Sequence, residues 1–156
     1  MGRDADVTYL GIDPGRSGGI AVLDANGRVV SVSQMPQTNR DVLDAILEHR
    51  SESWAVIERV GPSPQMGRVS VWTFGSGYGA LLMALVAAGI PHDEVRPQAW
   101  QQAMGCLTGG DKNVSKRRAQ QLFPRLTITH AIADALLIAE YCRRLHTGRL
   151  APKKAR

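Results

Sequence analysis

The feature that most constrains this chain is a short apolar run that stops on an aspartate. Val7, Tyr9, Leu10 and Ile12 make up a buried-strand pattern, and Asp13-Pro14-Gly15 breaks it at once. Gly18-Gly19 then lead into a second apolar run from Ile20 to Leu23. A carboxylate at the end of a central strand is held by a rigid scaffold and still faces an open edge. Asp-Pro-Gly is also good turn chemistry, so Asp13 alone would be satisfied by opening a turn. What decides between the two is whatever else the chain brings to that edge.

Residues 29–35 read as a third strand, joined to the second through Asn26-Gly27, a strong hairpin signal. Strands one to three should form an antiparallel meander. Asn39 is the expected N-cap of a helix carrying Val42, Leu43, Ile46 and Leu47 at helical spacing. Trp54-Ala-Val-Ile57 follows as a compact apolar run that ends in Glu58, and the helix before it predicts a strand parallel to the first. A loop over 61–68 precedes a long helix over roughly 70–88, in which Gly75, Gly79 and Ala80 offer a small-residue face to another helix or to a second copy. Gly89 reads as its C-cap. A short strand at 92–96, a helix opened by Pro97 and holding Trp100, and helices near 113–123 and 129–145 complete the chain.

At 156 residues the chain is expected to form one domain over 1–147, with a basic, disordered tail over 148–156. Charge is unevenly spread. Residues 1–95 carry 7 Lys/Arg against 11 Asp/Glu, whereas residues 96–156 carry 12 against 3, which points to a polyanionic partner for the second half. Cys106 and Cys142 lack metal-type spacing, so they read as reduced thiols rather than a zinc site. The start, MGRDAD, has no signal-peptide core, and the apolar stretch over 80–90 is too short to span a bilayer. The expectation is a soluble, cytoplasmic protein with no membrane partner.

Glu58 ends its strand as Asp13 ends the first. If the two strands are neighbours, the carboxylates lie side by side and repel unless a cation stands between them. A third acid, Asp134, lies in a helix whose Ile132, Leu136, Ile138 and Ala139 mark it as largely buried, where an unpartnered charge is costly. His130 sits one turn earlier on the same face. Each has a plainer reading: Glu58 paired with Arg59, His130 as a helix-start residue, Asp134 as a hydrogen-bonded acid. A metal cluster would satisfy all four together. Hard oxygen ligands suit Mg²⁺ or Mn²⁺, and two such ions about 3.5–4 Å apart clamp the attacking and leaving oxygens of a phosphodiester.

The chain resembles the RuvC-type Holliday-junction resolvases of the RNase H-like superfamily, especially their phage forms. The matching blocks are Gly11-Ile-Asp-Pro-Gly15, Ala55-Val-Ile-Glu58 and His130-Ala-Ile-Ala-Asp-Ala-Leu-Leu-Ile-Ala-Glu-Tyr141. Weaker echoes are Tyr78-Gly79, Pro97 with Trp100, and residues 112–124. The resemblance implies an α/β RNase H-like fold: a five-stranded mixed sheet with helices on both faces. It also implies a homodimeric, metal-dependent endonuclease that nicks opposed strands of a four-way DNA junction. The products would carry 5′-phosphate and 3′-hydroxyl ends.

Asp13, Glu58 and Asp134 carry over as catalytic metal ligands, Asp13 bridging two divalent ions, Mg²⁺ or Mn²⁺. Many relatives have an acid three residues before the last aspartate; here that position is Ala131, and His130 is the available substitute. An imidazole there would favour Mn²⁺. In the family the segment after the second acid approaches the junction centre, which makes Met66, Trp72 and Phe74 candidates for stacking on a base. For Trp72 and Phe74 a place in the core or a dimer interface is the favoured reading. Lys112, Lys116, Arg117 and Arg118 are candidates for phosphate contacts. Three rivals remain: a flap or single-strand nuclease on the same fold, a silent junction-binding module, and an actin-like nucleotide-binding protein. The last is disfavoured because that fold needs two lobes, so no nucleotide cofactor is expected.

Overall fold

The computed structural model describes residues 7–50 and 52–150. Its centre is one five-stranded sheet, built from β1 (Thr8–Asp13), β2 (Gly19–Asp24), β3 (Val29–Gln34), β4 (Ser53–Glu58) and β5 (His92–Val95) in the order β3-β2-β1-β4-β5. The β1–β2 and β2–β3 pairs are antiparallel, and the β1–β4 and β4–β5 pairs are parallel. Both the meander and the parallel placement of β4 follow the expectation. At the β2–β3 turn, Asp24 Oδ1 accepts from the backbone N–H of Asn26 (2.8 Å) and Arg28 (2.9 Å), which closes the hairpin.

Helices cover both faces. Leu10, Ile12, Ile20, Val22, Ala55 and Ile57 pack against α1 (Asn39–Leu47) and α2 (Arg68–Ala88). Tyr9, Ala21, Leu23 and Val56 point the other way, into a core shared with α3 (Pro97–Ala103), α4 (Lys112–Leu122) and α5 (His130–His146). That alternation is the period of two expected of strands buried on both sides.

Two local expectations are corrected. The N-cap of α1 is Thr38 rather than Asn39: its hydroxyl oxygen accepts from the Asp41 backbone N–H at 3.1 Å, which the Asn39 side chain, already inside the first turn, does not do. The helix expected over 70–88 is present as α2, but its apolar stretch is longer than the 80–90 read from the sequence, because the glycines before Ala80 do not interrupt it. That helix has 21 residues and contains an 18-residue window of mean hydropathy 1.5, enough by length and composition to cross a membrane. Here Leu81, Ala84 and Leu85 are instead buried in the core. Among the described residues no neighbouring group lies within 4 Å of where a Cβ would stand on Gly75, Gly77 or Gly79, so none of the described helices packs against these glycines. Trp72 (78% exposed), Met83 (64%) and Val86 (62%) share that open side. Of the expected tail, residues 151–156 lie outside the described residues.

Candidate active site

β1 and β4 run in parallel register with Ile12 beside Ile57. Asp13 and Glu58, the next residue on each strand, therefore leave the sheet together at one edge. Ile12 and Ile57 belong to the α1/α2 core, so the alternation directs the two acids towards α5. Gly11 lets that helix come close. A Cβ on Gly11 would lie 2.1 Å from the Ala139 nitrogen and 2.3 Å from the Ala135 oxygen, so strand and helix meet backbone to backbone. The contact carries Asp134, next to Ala135, over the strand ends.

The three acids feel one another. Asp13 is pushed up to about 8, first by burial and then by Glu58 and Asp134, with Lys112 pulling it back. Burial raises Glu58; the Trp100 indole N–H, donating to its Oε2 at 2.7 Å, opposes this, and Asp134 adds to it. Burial also raises Asp134, against the Ser115 hydroxyl, Lys112 and His130. Asp134 Oδ1 is buried with no hydrogen-bond partner among the described residues. The edge is thus short of positive charge, as a cation site should be. Among the described residues no three His, Cys, Asp or Glu side chains are already drawn close enough to hold an ion. The hard carboxylate oxygens, the orphaned Oδ1 and the mutual repulsion nonetheless fit Mg²⁺ or Mn²⁺.

The other candidates fall into two groups. His130 is exposed at the start of α5, with Thr129 as N-cap, and acts electrostatically on Asp134. Lys112, exposed at the start of α4, acts on both Asp13 and Asp134. Lys116 is half-buried and Arg117 exposed. Arg118 is partly committed inside the protein, since its Nε donates to the Met104 carbonyl at 2.8 Å and its Nη1 to Gln121 at 3.3 Å.

Phe74 is half-buried beside the Asp-Pro-Gly turn, where a Gly15 Cβ would stand 3.2 Å from its ring. Met66, Trp72 and Phe74 line an open groove of about 770 Å³ together with Arg16, Gln37 and Asn39. The exposure of Trp72 removes it from the core. Glu58 pairs with Trp100 and not with Arg59. Nothing in the sequence says which acid Trp100 faces. Ser115 had a weak signal: it stands one turn from Lys112 on the same helix.

A sheet of this order, with acids at the ends of two adjacent parallel strands and on the helix that covers them, defines the class: an RNase H-like α/β fold with an acidic edge. No family model matches the chain. The crossover junction endodeoxyribonuclease RuvC of Chloroflexus aggregans is 34% identical over 152 positions, covering 83% of this chain and 88% of that one. Its counterpart from Chloroflexus aurantiacus is 31% identical over 153 positions, with the same coverage. Among solved structures, T. thermophilus RuvC in complex with Holliday junction substrate matches with a TM-score of 0.68, covering 91% of this chain and 96% of that one at 21% identity. A second Thermus thermophilus RuvC structure matches at 0.64, over 90% and 96%, also at 21% identity. These two likenesses show the fold. The chain belongs to the RuvC family of crossover junction endodeoxyribonucleases.

Proposed function

We propose that this protein resolves four-way DNA junctions by paired, symmetric nicks, using Asp13, Glu58, Asp134 and His130 to hold two divalent metal ions. The observation that carries this reading is the convergence of three carboxylates, each raised by burial, from β1, β4 and α5. Mg²⁺ or Mn²⁺ held there would lower the pKa of a bound water and offset charge on the leaving oxygen. Asp13, on which both other acids act, would be the ligand common to the two ions. Glu58 and Asp134 flank it, and His130 closes the set from the helix start. In-line attack on the phosphodiester leaves 5′-phosphate and 3′-hydroxyl ends. Lys112 approaches from α4 to offset charge on the scissile phosphate, while Lys116, Arg117 and the free edge of Arg118 hold flanking phosphates. Met66 and Phe74 border the groove beside the Asp-Pro-Gly turn, where an unpaired base would stack.

A second copy completes the enzyme, since two opposed nicks need two sites. The open face of α2, with Gly75 and Gly79 between Trp72 and Met83, is the surface we assign to it; its small residues allow close helix approach. Residues 1–147 would form the nuclease domain, acting in the cytoplasm, with the basic segment over 148–156 adding charge for DNA.

The test is cleavage of a labelled immobile four-way junction beside a linear duplex of the same sequence, with Mg²⁺, Mn²⁺ or EDTA. Paired metal-dependent nicks that vanish in Asp13→Asn establish the resolvase. Equal cutting of both substrates leaves a nuclease of looser choice, and junction binding without cutting under any metal leaves a binding module. In the same assay, activity with Mg²⁺ equal to that with Mn²⁺ would remove the metal preference ascribed to His130.

A further inference from the structure

We propose that Trp100 is the positioning residue for Glu58: its indole N–H holds one carboxylate oxygen and so leaves the other aimed at the metal. This rests on the reading of Glu58 as a metal ligand and adds a residue to the site that holds it. Trp100 is 0% exposed, on the short helix α3 that Pro97 opens. Its ring is locked in the core shared with Tyr9, Val56 and Leu136. An indole has one polar atom, which can only donate, and a buried donor needs an acceptor. Of all the acceptors in the molecule, it meets Glu58 Oε2, at 2.7 Å and from 42 residues away in sequence. The other two tryptophans are unlike it: Trp54 is 41% exposed and stacked on His146, and Trp72 is 78% exposed.

The identity of the donor has a chemical consequence. A lysine or arginine at this place would hold Glu58 but also cancel the charge that attracts a divalent ion, as Arg143 and Arg144 do for Glu140. A neutral indole fixes the carboxylate plane and leaves its full negative charge available. With Oε2 engaged, Oε1 makes no hydrogen bond among the described residues and is the oxygen left for an ion. A strand-end glutamate has three side-chain torsions, so without this anchor Glu58 would sample several directions and bind the ion less well. Outer partners of this kind typically set metal affinity or activity by about 10–100-fold.

The test is Trp100→Phe, which keeps an aromatic ring and removes the donor. Its thermal midpoint is measured beside that of the native protein, its Mn²⁺ binding by electron paramagnetic resonance, and its junction cleavage by kinetics. The expected result is a folded protein whose Mn²⁺ half-saturation rises about 10–100-fold. Its kcat at limiting Mn²⁺ should fall while KM for the junction stays put. A folded variant that binds Mn²⁺ as the native protein does overturns the proposal.

A variant too unstable to purify would shift the decision to the native chain, through the indole N–H resonance of Trp100 during Mg²⁺ titration. That resonance should move with metal and should be displaced in Glu58→Gln; if it is insensitive to both, the proposal fails. A native protein that binds no Mn²⁺ and cuts no junction would instead remove the metal-site reading itself. A Trp100 failure leaves that reading intact, so the two are separable.

Discussion

Two acids on α5, Asp134 and Glu140, are both largely withdrawn from water, and their surroundings treat them in opposite ways. Glu140 is gripped by Arg143 through Nε (2.7 Å) and Nη2 (2.8 Å) and by Arg144 through Nε (2.7 Å). Burial raises it, but the two guanidiniums more than offset this and hold it below the ordinary glutamate range. Arg143 also donates to the Ala25 carbonyl at 3.1 Å, so the pair ties the helix to the β2–β3 hairpin. Asp134 has a buried oxygen with no hydrogen-bond partner among the described residues, and two further acids for neighbours. Burial alone therefore does not mark a functional acid. The mark is burial that the protein could have compensated, as it does two turns away, and has not.

That contrast can be broken at either end. The largest effect is expected from Asp13→Asn, which should reduce junction cleavage about 10³-fold, the loss of several kcal/mol of transition-state stabilisation. The same change removes repulsion, so the metal-free variant should melt higher than the native protein. A lower melting temperature would show that Asp13 supports the fold. Glu140→Gln should do the reverse, costing about 3 kcal/mol because it leaves the buried Arg143 and the half-buried Arg144 without their anion. For a chain of this length that is about 6–12 °C in a calorimetric melt. Cleavage per folded molecule should not change.

The two ends should also differ in pH dependence. Between the unfolded value of 3.8 and about 8, the native state holds a proton on Asp13 more tightly than the unfolded chain does. The metal-free protein should therefore lose stability as pH rises through that window. The effect is read as the difference between native and Asp13→Asn melts at pH 6 and pH 9, and saturating Mg²⁺ should shrink it. Glu140 acts oppositely: its stabilisation is complete above the ordinary value of 4.5 and disappears as pH falls below it. The smallest effect is expected from Lys112→Met. It should lower junction affinity severalfold and reduce the salt dependence of binding by about one charge. An unchanged salt slope would reassign Lys112 to holding Asp13 and Asp134 alone.

Much of the fold was legible because its signals are local. Asn26-Gly27 specifies a hairpin in adjacent residues, and the apolar run ending at Glu58 announces a strand without reference to anything distant. The cap of α1 was misplaced by one residue because both Thr38 and Asn39 can cap, and only backbone geometry separates them. The extent of α2 was read to within two residues, but its apolar stretch was read as starting only at Ala80. Its glycines look like interruptions in a sequence, but a helix tolerates them when one face is anchored by residues such as Leu81 and Leu85.

The partner of Glu58 is Trp100 and not Arg59, the plainer alternative that the sequence offered. Arg59 is next to Glu58 in sequence, yet in a strand adjacent side chains point to opposite faces, so the neighbour in the chain is not the neighbour in space. The sequence by itself determined which residue types stand at strand ends, which helix is apolar enough to be buried, and where basic charge collects. Only the tertiary structure decided that Gly11 admits α5 close enough to bring Asp134 over Asp13 and Glu58, and that Trp100 holds Glu58 from 42 residues away. The reason is one of range: backbone propensity acts over a few residues, whereas the field at a carboxylate is set by whatever lies within a few ångströms, and packing alone fixes that.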